Sequence, residues 1–289
     1  MTTRQANQQV PWQFTPCCPP CRRGQRHRRV LLILVLEQIL QPHERESFAR
    51  DGWVVTNLLD AEQTARLRQW VGDVQSWNDD GGWMNHYELT QHGPRRCRTE
   101  YFTPYHAGLQ QLLCSGTMIA AASELLGEPA VLYKEKINYK LAGGAGWEPH
   151  QDAPAYPFIE SHISCMIAVD DATTENGCLD IVSGMHLELI ETDERGCIPT
   201  SVADCLPWQA APLRAGQTMW FHSRTPHRSG DNRSARDRRA IYPTYNAARE
   251  GDLRDEYYAK KRAELDRIAS GDRVQISLID DFRGVPVPR

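Results

Sequence analysis

A histidine and an aspartate stand two residues apart in the segment "EPHQDAP", as His150 and Asp152. On a β-strand, residues i and i+2 point to the same face, about 6.6 Å apart along the chain. An imidazole and a carboxylate that converge in this way suit a metal ion. Two ligands do not make a site, so a third must come from another element.

Among the histidines of the chain, His227 is the best candidate for the third ligand. It follows "TMWFHS", an apolar segment typical of a strand, and can therefore approach from a second strand. Two neutral imidazoles and a carboxylate on one face of a metal leave its other positions open, as in non-haem Fe(II) oxygenases. Arg238 begins the next strand segment and offers a planar, permanently charged fork to the far carboxylate of a 2-oxoacid.

Two other classes of protein share this set of residues, and the sequence leaves both open. A zinc hydrolase also holds its metal with two histidines and a carboxylate and keeps one position free. A zinc hydrolase would need a general base beside the metal, and it would leave Arg238 without a function. A non-catalytic binding module on the same scaffold would need no metal. Metal analysis and an assay of 2-oxoacid turnover separate the three classes.

Strands with no helix between them dominate the region from Val131 to Asn246. The segments bounded by turn residues are "VLYKEKINYK", "HISCMIAVD", "GCLDIVSG", "APLRAGQTMWFHS" and "RRAIYPTYN". Such a series is typical of an antiparallel sandwich or barrel and not of a parallel sheet. The sequence therefore predicts a mainly β fold with flanking helices. The preceding region, around His86, His92 and His106, is predicted to be rich in loops.

The first of these segments alternates, and its two faces differ in character. One face is predicted to carry Val131, Tyr133, Glu135, Ile137 and Tyr139, and the other Leu132, Lys134, Lys136, Asn138 and Lys140. If the second face points inward, at least one of its lysines meets an anion. The alternative is that these lysines lie in solvent beyond the mouth of the barrel.

Three helical segments flank the strands. "DAEQTARLRQWVGDVQSW" can be capped by Asp60 and carries apolar residues at helical spacing. "LQQLLCSGTMIAAASELLGEP" is predicted to break near Gly116 and to end at Gly127, with Pro129 beyond. "DLRDEYYAKKRAELDRIASG", at residues 252–270, is predicted to form a charged surface helix.

Composition limits the class of protein only loosely. Of the 289 residues, 40% are hydrophobic and 24% charged, with a formal net charge of −4. A net acidic chain argues against nucleic acid as a partner. The apolar run in "RRVLLILVLEQIL" is far shorter than the about 20 residues that a membrane span needs. We expect a small-molecule substrate and no membrane or nucleic-acid partner, and the sequence leaves the oligomeric state open.

The cysteines and the N-terminus bear on location and domain organisation. Nine scattered cysteines favour reduced thiols and a cytoplasmic protein over a disulfide scaffold. "CCPPC" near the N-terminus has no second Cys/His pair at zinc-finger spacing. Residues 1–29 are predicted to be a disordered or extraneous extension. Residues 30–289 are predicted to form a single domain, with its β core at residues 131–246.

Residues 44–246 resemble the phytanoyl-CoA dioxygenase family of Fe(II)/2-oxoglutarate-dependent oxygenases. The matching segments are "FARDGWVVTNLLD", "INYKLAGGAGWEPHQD", "AVDDATTENGCLDIVSGMH", "LRAGQTMWFHSRTPHRSGDNRS" and "RRAIY". The resemblance implies a double-stranded β-helix, which is a jelly-roll, cupin-like barrel.

The resemblance also implies roles for particular residues. His150, Asp152 and His227 would be the iron ligands, Arg238 would anchor 2-oxoglutarate, and Asn138 would be its second contact. The implied cofactors are Fe(II), 2-oxoglutarate as co-substrate, and O2. The implied reaction is hydroxylation of a C–H bond in a small polar metabolite, with release of succinate and CO2.

The substrate is suggested by three segments, "KEKINYK", "EPHQDAPAYPF" and "DEYYAKKRAELD". They look most similar to bacterial members of the family that hydroxylate 2-aminoethylphosphonate or its N-methylated relatives. A phosphonate needs cationic or amide donors, and an amine needs a carboxylate or an aromatic face. The candidates for the phosphonate are Lys134, Lys136 and Arg98, and those for the amine are Tyr156, Tyr133 and Glu135.

Overall fold

A computed structural model of the chain describes residues 38–90, 93–156, 158–269 and 284–285. The predicted N-terminal extension, residues 1–29, lies outside the described residues together with its "CCPPC" motif. Within the described ranges, no helix is long and apolar enough to cross a membrane.

Strands make up two antiparallel sheets. In chain order the strands are β1 (Trp53–Thr56), β2 (Met84–Thr90), β3 (Gly93–Glu100), β4 (Ala130–Lys140), β5 (Trp147–His150), β6 (His162–Ala168), β7 (Leu179–Ile181), β8 (Gln209–Ala211), β9 (Thr218–His222), β10 (His227–Ser229), β11 (Arg238–Ala247) and β12 (Gly284–Val285). The larger sheet has the order β1–β9–β6–β11–β4–β3–β2–β12, and the smaller sheet has the order β5–β10–β7–β8. Chain neighbours are thus spread over both sheets, as in a jelly roll.

This arrangement confirms the predicted mainly β fold with flanking helices. The predicted barrel takes the form of two open sheets, because hydrogen bonds among the described strands join neighbours within each sheet and not across the two. The space between the sheets therefore stays accessible from one end, where the predicted metal ligands lie.

Helices flank the two sheets, and several of them cover the outer face of the larger one. They are α1 (Pro42–Asp51), α2 (Ala61–Ser76), α3 (Ala107–Cys114), α4 (Gly116–Leu126), α5 (Thr200–Ala203) and α6 (Arg254–Ala269). As predicted, Asp60 caps α2, where its carboxylate accepts a hydrogen bond from the backbone N–H of Gln63 at 2.8 Å. The predicted break separates α3 from α4 at Gly116, and α4 ends at Gly127, whose φ of 73° suits glycine.

Two apolar clusters hold these layers together. The outer cluster joins α2, α3 and α4 to the helix-facing side of the larger sheet, with Leu67, Leu109 and Trp220 fully buried. The inner cluster lies between the sheets and includes Phe221 and Ile181. Burial of one such large side chain contributes about 1.5–3 kcal/mol. The two faces of the larger sheet therefore have different partners, helices on one side and the smaller sheet on the other.

The predicted alternation along β4 holds for its second half and fails for its first. From Lys134 onward, every second residue pairs with an inward-facing residue of β11. The register then shifts, so that Thr244 pairs with Lys134 but Tyr245 pairs with Leu132. Tyr133 is the extra residue of this bulge. Leu132 is consequently buried in the outer apolar cluster, and its predicted position on the lysine face was wrong.

The region before β4 is more regular than predicted. His86 lies in β2, which pairs with β3 and extends the larger sheet. His106 caps α3, where its Nδ1 accepts a hydrogen bond from the backbone N–H of Leu109. The expectation of a loop-rich segment was therefore wrong. As a strand of the larger sheet, β3 brings Arg98 and Glu100 to the inner face of that sheet.

Candidate active site

The predicted triad comes together at one end of the smaller sheet. β5 and β10 are antiparallel neighbours, and their register sets His150 directly opposite His227. Asp152 follows β5 by two residues, and its Oδ1 lies 3.9 Å from Nε2 of each histidine. One ligand atom from each residue lies within 4.8 Å of the others. This spacing fits a single metal ion held by all three side chains.

Backbone carbonyls orient both imidazole rings. Nδ1 of His150 lies 2.7 Å from the carbonyl oxygen of Glu148. Nδ1 of His227 lies 3.0 Å from the carbonyl oxygen of Thr225. Each contact suits a ring whose Nδ1 carries the proton, which leaves Nε2 as a lone-pair donor toward the shared space.

Ser164 on β6 orients the carboxylate. Its hydroxyl donates a hydrogen bond to Oδ2 of Asp152 at 2.5 Å, and it also lies 3.2 Å from the hydroxyl of Thr244 on β11. Oδ1 of Asp152 is thereby left toward the histidines. The larger sheet thus fixes the third ligand of a site whose histidines belong to the smaller sheet.

The protonation states of these groups suit a divalent metal. Burial and the neighbouring His227 lower the pKa of His150 to about 3. Burial by itself would raise the pKa of Asp152, but His227, Lys134 and His150 outweigh that effect and lower it. Metal ligands must be deprotonated, so a neutral imidazole and an ionised carboxylate at neutral pH are the forms required.

Arg238 is buried on the inner face of β11, and its exposed fraction is 3%. It donates to the carbonyl of Gly177 at 2.9 Å and contacts the hydroxyl of Tyr242 at 3.4 Å, while its Nε has no hydrogen-bond partner among the described residues. A carboxylate would satisfy that Nε, so the position fits the far end of a 2-oxoacid. Arg239 points the opposite way and binds Asp170 with both Nε and Nη2.

Asn138 and Lys140 accompany Arg238 on the neighbouring strand. Lys140 pairs directly with Arg238 across β4 and β11, and Asn138 pairs with Ala240. Oδ1 of Asn138 accepts a hydrogen bond from Nε of Arg98 at 3.0 Å. Asn138 lies on the wall of the cavity beside the triad, whereas Arg238 lies just beyond that wall.

A cavity of about 480 Å³ opens beside the triad, between the sheets and α6. Its wall combines basic side chains, aromatic rings and six carboxylates, of which Glu100 lies next to Arg98 and Lys261. The wall residues that matter for charge and stacking are Arg98, Glu100, Lys134, Lys136, Trp147, Tyr156, Tyr257 and Lys261. A small anion would find several donors within one enclosed space.

The two predicted lysines of β4 both face this cavity, and they differ in their contacts. Lys134 donates to the hydroxyl of Tyr156 and lies 4.1 Å from the centre of that ring. Lys136 has no hydrogen bond among the described residues; its ammonium lies 5.6 Å from the ring centre of Tyr242 and 5.9 Å from that of Trp147. Burial lowers the pKa of Lys136 well below its ordinary value, a cost that a bound anion would offset.

Arg98 on β3 is held in place from three sides. Its Nη1 lies 3.3 Å from Oε1 of Glu100, and its Nε donates to Asn138. Its guanidinium lies 5.2 Å from the ring centre of Trp147. These contacts hold the guanidinium at the cavity wall before any ligand binds, so that binding an anion costs little side-chain entropy.

Helix α6 forms as predicted and exposes one charged face, but its other face is buried, which the prediction of a surface helix did not include. Lys261 donates to both oxygens of Glu100, at 2.8 and 2.7 Å, and both side chains are buried. About two turns earlier, Arg254 forms an ion pair with Glu135, which also accepts from the hydroxyl of Tyr258. The charges of the helix therefore face inward as well as outward, because buried carboxylates receive them.

Two of the three residues predicted to contact an amine, Tyr156 and Glu135, lie on the cavity wall. Tyr133 is buried behind it, against Tyr156 and Tyr257, because it occupies the bulge of β4. Glu135 is engaged by Arg254 through both oxygens. The contacts of these residues with a substrate amine stay predictions.

Sequence reasoning missed several residues of the site. Ser164 lies in an apolar strand, and a lone polar residue on its inward face was the available signal. Trp147 precedes the histidine–aspartate motif in the same strand. Glu100, Tyr257 and Lys261 come from elements that were read as loop or surface helix, so no pattern in the sequence linked them to the site.

Comparison with known proteins agrees with this geometry. The family profile described as phytanoyl-CoA dioxygenase matches residues 48–240. Methylphosphonate hydroxylase of Gimesia maris is 48% identical over 252 residues, which cover 86% of this chain and 97% of that protein. 2-Aminoethylphosphonate dioxygenase of an uncultured bacterium, HF130_AEPn_1, is 38% identical over 216 residues, which cover 71% of this chain and 82% of that protein.

Solved structures share the fold. The crystal structure of EctD from S. alaskensis with 2-oxoglutarate and 5-hydroxyectoine superposes with a TM-score of 0.62 and 18% identity. The match covers 74% of this chain and 78% of that one. At this identity the likeness concerns the arrangement of the two sheets, which is that of a jelly roll.

Proposed function

Since the chain belongs to the phytanoyl-CoA dioxygenase family and is an Fe(II)/2-oxoglutarate-dependent dioxygenase, we propose that its substrate is a small alkylphosphonate. Methylphosphonate is the substrate that the cavity supports best. This assignment replaces the two alternatives that the sequence left open, the zinc hydrolase and the non-catalytic binding module.

In the proposed site, His150, Asp152 and His227 would hold the iron, with Nε2 of each histidine and Oδ1 of the aspartate facing the shared space. Fe(II), 2-oxoglutarate and O2, when bound, supply an oxidation in which the oxoacid becomes succinate and CO2 and one substrate C–H becomes C–OH. The protein's share is to orient these ligands through Ser164 and two backbone carbonyls, and to exclude water from a buried site.

The co-substrate is proposed to lie between the triad and Arg238. The unpartnered Nε of Arg238 supports this assignment, because a carboxylate can accept from it and from a second guanidinium nitrogen together. Asn138, whose Oδ1 is taken by Arg98, would present its amide N–H groups to the same molecule. Lys140, paired across from Arg238, adds positive potential at this end.

The observation that carries the substrate proposal is the group of three cations formed by Lys136, Lys134 and Arg98. The ammonium of Lys136 has no hydrogen bond among the described residues, and Arg98 and Lys134 line the same wall. A phosphonate carries up to two negative charges on three oxygens, so it can accept from all three side chains at once. A neutral substrate would leave the ammonium of Lys136 buried without compensation, which is costly.

Methylphosphonate is preferred over an amine-bearing phosphonate because the two wall carboxylates on the same strands as Arg98, Lys134 and Lys136 are engaged. Glu100 receives Lys261 and Arg98, and Glu135 receives Arg254. The second candidate is 2-aminoethylphosphonate, whose ammonium could lie over the ring of Tyr156 on the wall. We keep it because an aromatic face alone can bind an ammonium.

The test is a substrate panel read by succinate release from purified protein with Fe(II) and 2-oxoglutarate. Methylphosphonate is expected to stimulate succinate release most strongly, and 2-aminoethylphosphonate less. Methanesulfonate, which has the same shape and one charge fewer, is the matched control, with betaine and proline as unrelated substrates. Failure of every phosphonate to raise succinate release above background would refute the proposal.

We further propose that the enzyme works in the cytoplasm on a small molecule, without a nucleic-acid or membrane partner. Within the described ranges, six cysteines are free, which agrees with a reducing compartment. The net charge of −4 supports the absence of a nucleic-acid partner.

A further inference from the structure

The cavity contains an ammonium group of its own, at the place where an amine-bearing substrate would need a carboxylate. Nζ of Lys261 lies 2.8 and 2.7 Å from the two oxygens of Glu100. The side chains of Lys261 and Glu100 are 9% and 2% exposed, and both line the cavity that holds the triad. The carboxylate next to the proposed phosphonate site is therefore already neutralised by the chain.

Glu100 is close to the groups proposed to bind the phosphonate. It pairs directly with Lys136 in the register of β3 and β4, and its Oε1 lies 3.3 Å from Nη1 of Arg98. A substrate with an anion at one end and an ammonium at the other requires a carboxylate next to the cations that bind its anion. In this chain, Nζ of Lys261 already occupies the place at the Glu100 carboxylate that such a substrate ammonium would take.

On the premise of the proposed function, we propose that Lys261 is a specificity-determining residue that excludes phosphonates bearing an amine. A substrate ammonium would approach Lys261 and Arg98 and would find the oxygens of Glu100 occupied. Like charges in a buried space repel strongly, and the ring of Tyr156 on the same wall offsets this repulsion less than a free Glu100 carboxylate would. A methyl or other uncharged group meets neither penalty.

Lys261 lies outside the part of the chain that matches the family profile, which ends at residue 240. It is carried by α6, and that helix is anchored independently by the buried pair of Arg254 with Glu135 and by the contact of Tyr258 with Glu135. Removal of the Lys261 side chain therefore leaves the helix two other buried contacts on β4. The residue can change without the loss of the cavity wall.

The first experiment compares kcat/KM of wild type and Lys261→Ala for methylphosphonate and 2-aminoethylphosphonate. The alanine opens room at Glu100 and frees its carboxylate for a guest ammonium. We expect the ratio of 2-aminoethylphosphonate to methylphosphonate to rise about tenfold or more, as a charge-assisted hydrogen bond gained by one substrate alone would produce. An unchanged ratio, with both substrates affected alike, overturns the proposal.

Two further variants locate the effect. Lys260→Ala removes the neighbouring lysine, which also borders the cavity but is two-thirds exposed and paired with Glu256 and not with Glu100, and it should leave the ratio unchanged. Lys261→Ala combined with Glu100→Gln should lose the gain, because an amide attracts an ammonium far less than a carboxylate does. Persistence of the gain in this double variant would contradict the role assigned to Glu100.

A comparison of two substrates on the wild-type enzyme does not depend on whether any variant folds. Propylphosphonate and 2-aminoethylphosphonate have the same length and differ in a methyl against an ammonium. Wild type should turn over propylphosphonate with the higher kcat/KM, and the reverse order overturns the proposal. If methylphosphonate is a substrate and these tests fail, only the role of Lys261 is wrong; if no phosphonate is turned over, the proposed function fails first.

Discussion

At the scale of single residues, Lys136 carries the charge on which the proposed recognition of a phosphonate most depends. Its ammonium faces the cavity without a hydrogen bond among the described residues, so a bound phosphonate gives it its partner. Lys136→Met keeps the length of the side chain and removes the charge. We expect KM for methylphosphonate to rise about tenfold to a hundredfold, the equivalent of about 1.5–3 kcal/mol.

The KM for 2-oxoglutarate should change little in this variant, since Arg238 and not Lys136 is proposed to hold the co-substrate. Steady-state kinetics with each substrate varied in turn measures both constants. Equal increases in the two constants would indicate general damage to the site, and an unchanged KM for methylphosphonate would remove Lys136 from the recognition scheme.

Ser164 is a second single residue with a testable role, because it orients the predicted metal ligand Asp152. It donates to Oδ2 of Asp152, and hydrogen bonds of this kind to a metal ligand typically affect metal affinity by about 10- to 100-fold. Ser164→Ala should therefore raise the Fe(II) concentration needed for half-maximal binding by that factor. Anaerobic Fe(II) titration measures it, with Ser164→Thr, which keeps the hydroxyl, as the control. Equal affinity in alanine and wild type would show that the bond is dispensable.

At the scale of elements, α6 is held on β4 by a buried ion pair. The side chains of Arg254 and Glu135 are 12% and 0% exposed, and Thr103 donates to the same carboxylate. Arg254→Ala leaves Glu135 charged and buried without its main partner. We expect the free energy of unfolding to fall by about 3–5 kcal/mol, as measured by urea denaturation.

The same helix offers the matched control. Lys260 and Glu256 form an i,i+4 pair with exposed fractions of 67% and 64%. Lys260→Ala should change the free energy of unfolding by only about 0.3–0.5 kcal/mol, because an exposed pair is screened by water. Similar losses from the two alanine variants would contradict the anchoring role of Arg254.

The elements that carry apolar periodicity could be predicted from the sequence, and those that line the cavity could not. α2, with Leu67 and Val71 at helical spacing, and the apolar strand β6 were both anticipated. β2 and β3 were read as loops because their inner face carries His86, Arg98 and Glu100. A face that lines a polar cavity lacks the alternation by which strands are recognised. The buried face of α6 was not predicted for the same reason, since that face carries charged side chains.

The site itself was partly readable. The spacing of His150 and Asp152 predicted that both lie on one face of a strand; β5 instead ends at His150, and Asp152 has helical backbone angles. The two side chains nevertheless converge, and the structure brings His227 to them. The ligand roles of these residues stay predictions until a metal is measured. The pairing of Lys261 with Glu100 could not be foreseen, since it joins residues 161 positions apart through a helix whose packing the sequence does not encode locally.

At the scale of the whole molecule, buried histidines predict acid sensitivity. Burial lowers the pKa of His86 to about 3 and that of His162 to about 4. In the unfolded chain both titrate near pH 6.5, so below that pH the unfolded chain binds protons that the folded one does not. The free energy of unfolding should therefore fall as pH falls from 6.5 toward 4, by about 1.4 kcal/mol per pH unit for each histidine in full titration.

Urea denaturation at several pH values between 6.5 and 5 measures this slope. His162→Leu removes one titrating group whose two ring nitrogens have no hydrogen-bond partner among the described residues. The variant should show a slope smaller by about one proton, whatever its stability at pH 7. A slope equal to that of wild type would show that His162 does not titrate on unfolding.

The central claim joins the metal triad, the cation-lined cavity and the substrate in one reaction. The most direct test follows methylphosphonate by phosphorus NMR in the presence of the iron-loaded enzyme, 2-oxoglutarate and O2, with succinate measured in parallel. The account predicts hydroxymethylphosphonate and succinate in equal amounts, and neither product with Asp152→Ala. Succinate without any new phosphorus signal, or the same conversion by Asp152→Ala, would contradict it.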